Sequence, residues 1–311
     1  MGLTVLSLFD GISCGQIALE RAGLKVDKYF ASEIKKHAIK VTMEHYPGTI
    51  QIGDVRKVHY KDGWLHTENG DYEVGKIDLL IGGSPCQNFS CAHWINPSNT
   101  GGLGLEGDKS NLFYEWLRIK GETKPTFFLL ENVKMKKDHK QELDSMLKVV
   151  GIEINSDLVS FQHRRRVYWT NIPSVLKPLD KHVDFQDYVD TDATRCEEAT
   201  PNWTKSRMRF WNNGKNTSNG RMQSQNITNA TKVNCLTVKQ DRCPNSGMIA
   251  YRGVARYLTR REMEQAQTLP IGYCDGLSYS QTCDVCGDGW TVDVIAHIFS
   301  FIPKEEVDGL D

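Results

Sequence analysis

Two short stretches combine residue types that can do covalent chemistry with turn residues able to present them. In Gly82-Gly83-Ser84-Pro85-Cys86 a cysteine follows the apolar run Ile77–Ile81 on a Gly-Gly-Ser-Pro turn. A thiol just past a buried strand sits where a nucleophile is useful, although the commonest fate of a free cysteine is a small buried apolar group. Glu131-Asn132 closes a second apolar run, Phe127–Leu130, and places a carboxylate at another strand end. Arg164 and Arg166 precede Val167–Trp169 at alternate positions, which would put both on one side of a strand. Each of these features alone also fits an ordinary structural role, such as a surface ion pair.

A further stretch suits a ligand rather than a reaction. Phe9-Asp10-Gly11-Ile12-Ser13-Cys14-Gly15 follows the first β-rich run and opens a helix. Glycine lets the backbone approach a bound group, and helix-terminal amides favour anionic or polar ones. Glu33 lies 22 residues beyond Gly11, a separation suited to a carboxylate that accepts both hydroxyls of a ribose. Asp54, at the following strand end, is placed to accept from an exocyclic amine. Together they suggest a nucleoside-containing cofactor; the glycine loop by itself fits a plain tight turn equally well.

The elements that must position these residues alternate. Strands are expected at Leu3–Phe9, Tyr29–Ala31, Thr49–Ile52, Ile77–Ile81, Thr126–Leu130, near Val159 and at Val167–Trp169. Helical patterns run from Gly15 to Ala22, from Glu33 towards Met43, over Leu112–Ile119 and through Leu143, Met146 and Leu147, the last with Asp138 as its expected cap. Strands alternating with helices imply an α/β fold with a mostly parallel sheet, whose ligands bind beyond the carboxyl ends of its strands. Periodicity fades between Asn202 and Gly247, where Asn, Thr, Ser and Gly dominate, and helical pattern returns at Leu258–Leu269 and Val292–Phe301.

Composition excludes several classes. The 311 residues carry 38 Lys and Arg against 39 Asp and Glu, and 39% hydrophobic content with seven Trp rules out a disordered chain. No apolar run is long enough for a membrane span, and the N-terminus lacks the basic region of a signal peptide. Nine cysteines without repeated spacing are therefore expected to be reduced thiols. Cys283-Asp-Val-Cys286 has no second pair to complete a zinc site, so no metal is expected. The net charge of −1 conceals an asymmetry: Arg195–Arg256 holds 11 basic and 3 acidic residues, a local +8.

The order of these motifs resembles the DNA cytosine-5 methyltransferase family over almost the whole chain. Ser7-Leu-Phe-Asp-Gly-Ile12, Gly53-Asp-Val-Arg56, Gly82-Gly-Ser-Pro-Cys86, Glu131-Asn-Val133, Gln162-x-Arg164-x-Arg166 and Gly287-x-x-Trp290-Thr-Val292 carry the resemblance. Several of them are most similar to the vertebrate de novo enzymes, although Asp288 stands where that subgroup carries a base. The resemblance implies a Rossmann-like, S-adenosylmethionine-dependent methyltransferase sheet with a small target-recognition lobe. The catalytic domain would comprise residues 1–175, completed by 256–311, and the recognition region residues 176–255.

By the same resemblance Cys86 adds to C6 of a flipped cytosine, Glu131 holds its N3, and one or both of Arg164 and Arg166 engage O2. Phe9, Asp10, Gly11, Ile12, Gly15, Glu33, Asp54, Val55, Arg56 and Trp290 would bind S-adenosylmethionine. Arg207, Arg209, Lys215, Arg221, Lys239 and Arg242 are candidate contacts to double-stranded DNA. Lys134 and Lys136 either meet phosphates or are simply solvated. A stand-alone bacterial or phage enzyme is expected, cytoplasmic in the host cell and without membrane association, with a cognate restriction enzyme as candidate partner. The alternatives are a transfer-RNA cytosine-5 methyltransferase and a non-catalytic DNA-binding relative.

Overall fold

The computed structural model describes residues 2–84, 111–216 and 222–303. Two compact units result, one of residues 1–154, 165–177 and 295–311, the other of residues 155–164 and 178–294.

In the first unit the chain alternates as expected. β1 (Leu3–Leu8), α1 (Cys14–Arg21), β2 (Val26–Ser32), α2 (Lys36–His45) and β3 (Ile50–Gln51) are followed by three short strands, β4 (His59–Lys61), β5 (Trp64–Thr67) and β6 (Gly70–Glu73). Then come β7 (Leu79–Gly83), α3 (Asn111–Thr123), β8 (Phe127–Val133), α4 (Lys137–Leu147), β9 (Ile152–Asn155) and β10 (Arg165–Thr170). The seven-stranded sheet has the order β3-β2-β1-β7-β8-β10-β9. β3, β2, β1, β7 and β8 pair in parallel, and β10 is antiparallel to β8. Leu3, Val5, Leu6 and Leu8 of β1 are all buried, the continuous apolar run of a strand covered on both faces. The chain winds outward from β1 to β3 and then returns to β7 on the other side of β1. The carboxyl ends of β1 and β7 therefore flank the switch point at which an open α/β sheet forms its crevice.

The sheet's core continues beneath β4–β6, where Leu65, Val74 and Ile77 join Leu6, Phe30, Leu80 and Trp116. This small antiparallel sheet had no expectation in the sequence, because its strands are three or four residues long and largely solvated. Two local expectations are corrected. Val159 follows a 3-10 turn over Ser156–Leu158 instead of forming a strand, and the strand of that region is β9. Asp138 lies in the first turn of α4, where a carboxylate favours the helix dipole, while Lys136 occupies the N-cap.

The second unit contains α5 (Ala193–Glu198), α6 (Lys205–Asn213), the short strands β11 (Lys215–Asn216) and β12 (Met222–Gln223), the hairpin β13 (Ile249–Tyr251) and β14 (Val254–Arg256), α7 (Arg260–Ala266) and α8 (Tyr279–Asp288). α9 (Val292–Phe299) follows, its first residues in this unit and the remainder in the first. Trp203, Phe210 and Trp211 pack on a small core of Met248, Ala255 and Tyr257. Residues 256–294, which the resemblance would give to the catalytic domain, group in this structure with 178–255. A polar framework joins them: Arg256 pairs with Glu262 at 2.8 Å and donates to the Asp190 carbonyl at 3.0 Å, and Glu262 accepts from the Asp190 amide at 2.9 Å and closes the capping box of α7 with Thr259.

Among the described residues no helix is long and apolar enough to cross a membrane. No group of three or more His, Cys, Asp or Glu among them is placed to hold a metal ion.

Candidate active site

Two neighbouring strands bring Glu131 and Arg166 together. In register, Glu131 lies opposite Gly83 of β7 on one side and Tyr168 of β10 on the other. Arg166 is two residues from Tyr168, so it shares Glu131's face, and its Nε lies 2.8 Å from Glu131 Oε1. Both side chains are nearly buried, at 13% and 11% exposure, so solvent screens the pair far less than it would a surface bridge.

Asn132 takes the opposite face and does a different job. Its Nδ2 donates to Ser84 Oγ at 3.1 Å and to the Ser84 carbonyl at 3.3 Å, while its Oδ1 accepts from the Val133 amide. Ser84 is thereby fixed as the last described residue before Pro85-Cys86. Cys86 itself lies outside the described residues. The Asn132–Ser84 bond was missed in the sequence because nothing in either run signals a cross-strand partner 48 residues away.

The cofactor candidates gather at the ends of β1, β2 and β3. Gly11 N–H donates to Glu33 Oε2 at 2.8 Å, and Glu33 Oε1 accepts from the amides of Ile34 and Lys35 at 2.7 and 2.8 Å. Three backbone donors thus orient the carboxylate at the entrance to α2. Ile34, which no sequence signal singled out, is 68% exposed beside it, an apolar side chain left in the open at a strand end.

Asp10 is held inward by three hydroxyls. Ser7 and Tyr29 donate to its Oδ1 at 2.6 and 2.8 Å, and Ser13 donates to its Oδ2. Desolvation nevertheless pushes its pKa up to about 6, against the pull of those donors and with a contribution from the Glu33 charge. Asp10 therefore anchors the turn, and Tyr29 is its unforeseen partner. Phe9 packs against the core, and Ile12 and Gly15 are buried.

Asp54 caps the short helix Val55–Lys57, accepting from the Arg56 amide at 3.0 Å, and the Arg56 side chain grips both of its oxygens. That guanidinium, followed by the amide bond, holds the Asp54 carboxyl below the usual range. Val55 is buried. Arg118 of α3 donates to the Val58 carbonyl at 2.8 Å and so braces the same turn from beneath.

The remaining candidates, Lys134 apart, belong to the second unit. The alternation expected for Arg164 and Arg166 fails because β10 begins only at Arg165. Arg164 is buried and donates to the carbonyls of Leu236, Gly287 and Gly289 at 3.2, 3.0 and 2.9 Å. Gln267 joins the same knot through the Gly289 carbonyl and the Thr291 hydroxyl, which fixes the backbone on either side of the half-buried Trp290. Arg207 donates to Tyr257 Oη and the Asn202 carbonyl, so part of its charge is used internally. Arg209, Lys239 and Arg242 are exposed. Arg221 and the side chain of Lys215 lie outside the described residues. Lys134, in the first unit, pairs with Glu153 at 3.0 Å.

The family model for C-5 cytosine-specific DNA methylases matches residues 3–170. An orphan methyltransferase of Bacillus phage rho11s is 31% identical over 194 residues, 58% of this chain and 35% of that protein. A type II methyltransferase of Lactococcus lactis subsp. cremoris is 31% identical over 193 residues, 58% of this chain and 44% of its own length. The matches thus span less than half the length of these curated relatives. In overall fold the chain is similar to a methyltransferase of Entamoeba histolytica, with a TM-score of 0.71, 14% identity, and coverage of 98% of this chain and 99% of that one. The Dnmt2 methyltransferase of S. pombe follows at 0.66 and 14%, covering 96% and 97%. With the strand-end geometry above, the match over residues 3–170 places the chain in the family of C-5 cytosine-specific DNA methylases.

Proposed function

We propose that this chain is a DNA (cytosine-5)-methyltransferase that acts on a cytosine flipped out of double-stranded DNA, using S-adenosylmethionine. The observation that carries this is the nearly buried Glu131–Arg166 pair beside the Asn132-anchored strand end that leads into Pro85-Cys86. The residues at the ends of β1–β3 fit the cofactor. Glu33 is aimed by three amides, and a carboxylate's further lone pairs leave it able to accept two ribose hydroxyls. Exposed Ile34 offers an apolar face for a purine, and Asp54 an acceptor for its amine. When bound, S-adenosylmethionine supplies an electrophilic methyl group.

The protein groups then have distinct tasks. The Cys86 thiolate forms a bond to C6 of the ring, and the electron pair of the C5–C6 double bond becomes available at C5. Glu131 holds a proton at N3, so charge that builds on the ring is met where it appears, and Arg166 fixes Glu131 and faces the carbonyl side of the base. After methyl transfer a base removes the C5 proton, the pair re-forms the double bond, and Cys86 leaves as thiolate. The second unit, with its exposed cations, serves as the target-recognition lobe. The phage and type II relatives support a modification enzyme of the host cytoplasm, and the type II relative supports a cognate restriction enzyme as candidate partner.

Tritium transfer from labelled S-adenosylmethionine tests the function. Label is expected in duplex DNA, and none with Cys86→Ser, while a 5-fluorocytosine duplex should trap a covalent adduct with the wild type. Label in total transfer RNA but not in DNA would assign the chemistry to the other substrate, and label in neither would sink the proposal.

A further inference from the structure

Glu68 lies outside every motif that the family resemblance uses, yet it is bonded to one of them. It sits at the tip of the β5–β6 hairpin, whose turn is shaped by Thr67: its Oγ1 accepts from the Asn69 amide at 3.1 Å and donates to the Gly70 carbonyl at 2.8 Å. From this tip two side chains reach back to the end of β3. Asn69 Nδ2 donates to the Gln51 carbonyl at 2.9 Å. Glu68 Oε1 accepts from the Asp54 amide at 2.8 Å, and its Oε2 pairs with Lys57 Nζ at 2.6 Å.

The approach depends on Gly53. Its φ of +77° belongs to the left-handed region, and a Cβ there would collide with the Glu68 carboxylate, with Glu68 Cγ only 2.8 Å away. The base of the hairpin is held as well. Tyr72 of β6 packs edge-on against Phe30 of β2 with ring centroids 5.9 Å apart, and Tyr60 Oη donates to the Gly75 carbonyl at 2.8 Å. A separate small sheet thus delivers one carboxylate to the backbone of the turn that carries Asp54.

We propose that Glu68 is a positioning residue for the cofactor: its bond to the Asp54 amide sets the turn so that the Asp54 carboxylate meets the exocyclic amine of the adenine ring. The inference rests on the S-adenosylmethionine reading above. Arg56 fixes the Asp54 carboxylate relative to its own turn, and Glu68 fixes that turn relative to the β5–β6 hairpin. Glu68 touches neither cofactor nor substrate in this scheme; it acts through Asp54.

The test is calorimetric binding of S-adenosylhomocysteine to the whole chain, as wild type, Glu68→Ala, Glu68→Gln, Asp54→Ala and the Asp54→Ala/Glu68→Ala pair. Glu68→Ala should weaken binding about 3- to 10-fold, the loss of one charge-assisted hydrogen bond. Glu68→Gln, which can still accept from the Asp54 amide, should recover most of it. In steady-state assays the KM for S-adenosylmethionine should rise while kcat stays within about twofold. The double variant should bind no more weakly than Asp54→Ala alone, a non-additivity that general loss of structure would not give. Wild-type affinity in Glu68→Ala, or full additivity, overturns the proposal while leaving the cofactor reading intact; a wild type that binds no S-adenosylhomocysteine overturns both. If Glu68→Ala does not fold, hydrogen exchange of the wild-type Asp54 amide decides: protection supports the bond, and free-loop exchange rates refute it.

Discussion

Glu131 and Arg166 illustrate how one side chain sets the usefulness of another. Replacing Arg166 by alanine removes an opposite charge 2.8 Å from a carboxylate with 11% exposure, and with it the group that fixes its orientation. The expected result is a fall in kcat of about 10²-fold or more, with little change in the KM for cofactor, because the interaction matters where charge develops on the base. Arg166→Lys should recover only part of the activity, since a point ammonium does not reproduce the guanidinium's directed Nε–H. Methyl transfer to duplex DNA measures both. Asp10 makes a different prediction. Its pKa rises from 3.8 to about 6 on folding, so between those values the folded chain binds more protons than the unfolded one. The contribution of Asp10 to stability is then greatest at the acidic end of the window and declines as pH rises through 4 to 6. Asp10→Asn removes the buried charge and should flatten that decline, the variant gaining about 2 kcal/mol on the wild type between pH 4 and pH 7. Urea unfolding at the two pH values reads the change in difference; an equal difference at both would refute the assignment.

At the scale of elements, α8 shows a packing site that permits no added atom. A Cβ on Gly287 would run into the backbone at Thr237–Val238, with Val238 Cα at 2.6 Å, and the Gly287 carbonyl accepts from Arg164. Gly287→Ala must therefore push α8 off this backbone and loosen the knot around Arg164, Gln267 and Thr291. A loss of about 2–4 kcal/mol is expected in denaturant unfolding. The same elements show what could be seen in the sequence. β1, β7 and β8 were legible because strands buried on both faces read as apolar runs, and their ends marked Asp10, Ser84 and Glu131. β4–β6 and α5, α6 and α8 were not, since their residues answer to distant partners more than to periodicity. No buried residue lies in α6, and α8 is defined by its Ser278–Gln281 capping box and its docking on 237–238. For the site, residue types were legible and partnerships were not. Arg164 and Arg166 looked equivalent until β10 began between them, giving Arg166 to Glu131 and Arg164 to three carbonyls.

Over the whole molecule, folding redistributes a charge that the sequence only totals. The +8 between Arg195 and Arg256 includes cations that serve the second unit internally. Arg195 pairs with Asp190 at 2.6 Å, and Arg256 is buried with Glu262. Burial raises the Asp190 carboxyl, but Arg195, the Asp192 amide and the Thr259 hydroxyl outweigh it and bring its pKa to about 2. These groups form a scaffold. Lys232 belongs with them, donating to the carbonyls of Asp157 and Ser160 at 2.7 and 2.9 Å. Arg209, Lys239 and Arg242 remain exposed, and Arg242 has an acid, Asp241, only at 3.7 Å. Affinity for DNA should accordingly divide along this line. Removing a cation that neutralises one phosphate lowers the slope of log affinity against log salt by about 1, and it weakens binding uniformly across sequences. Arg209→Ala and Lys239→Ala should each show that change with unaltered unfolding midpoints. Arg195→Ala and Arg256→Ala should do the reverse, lowering the unfolding midpoint while leaving the salt slope of the folded fraction unchanged. Fluorescence anisotropy with two unrelated duplexes between about 50 and 200 mM salt, the range over which phosphate binding weakens steeply, separates the two classes. An exposed cation whose replacement leaves the slope unchanged is removed from the DNA-facing surface, and a scaffold arginine whose replacement changes only the slope would move to it.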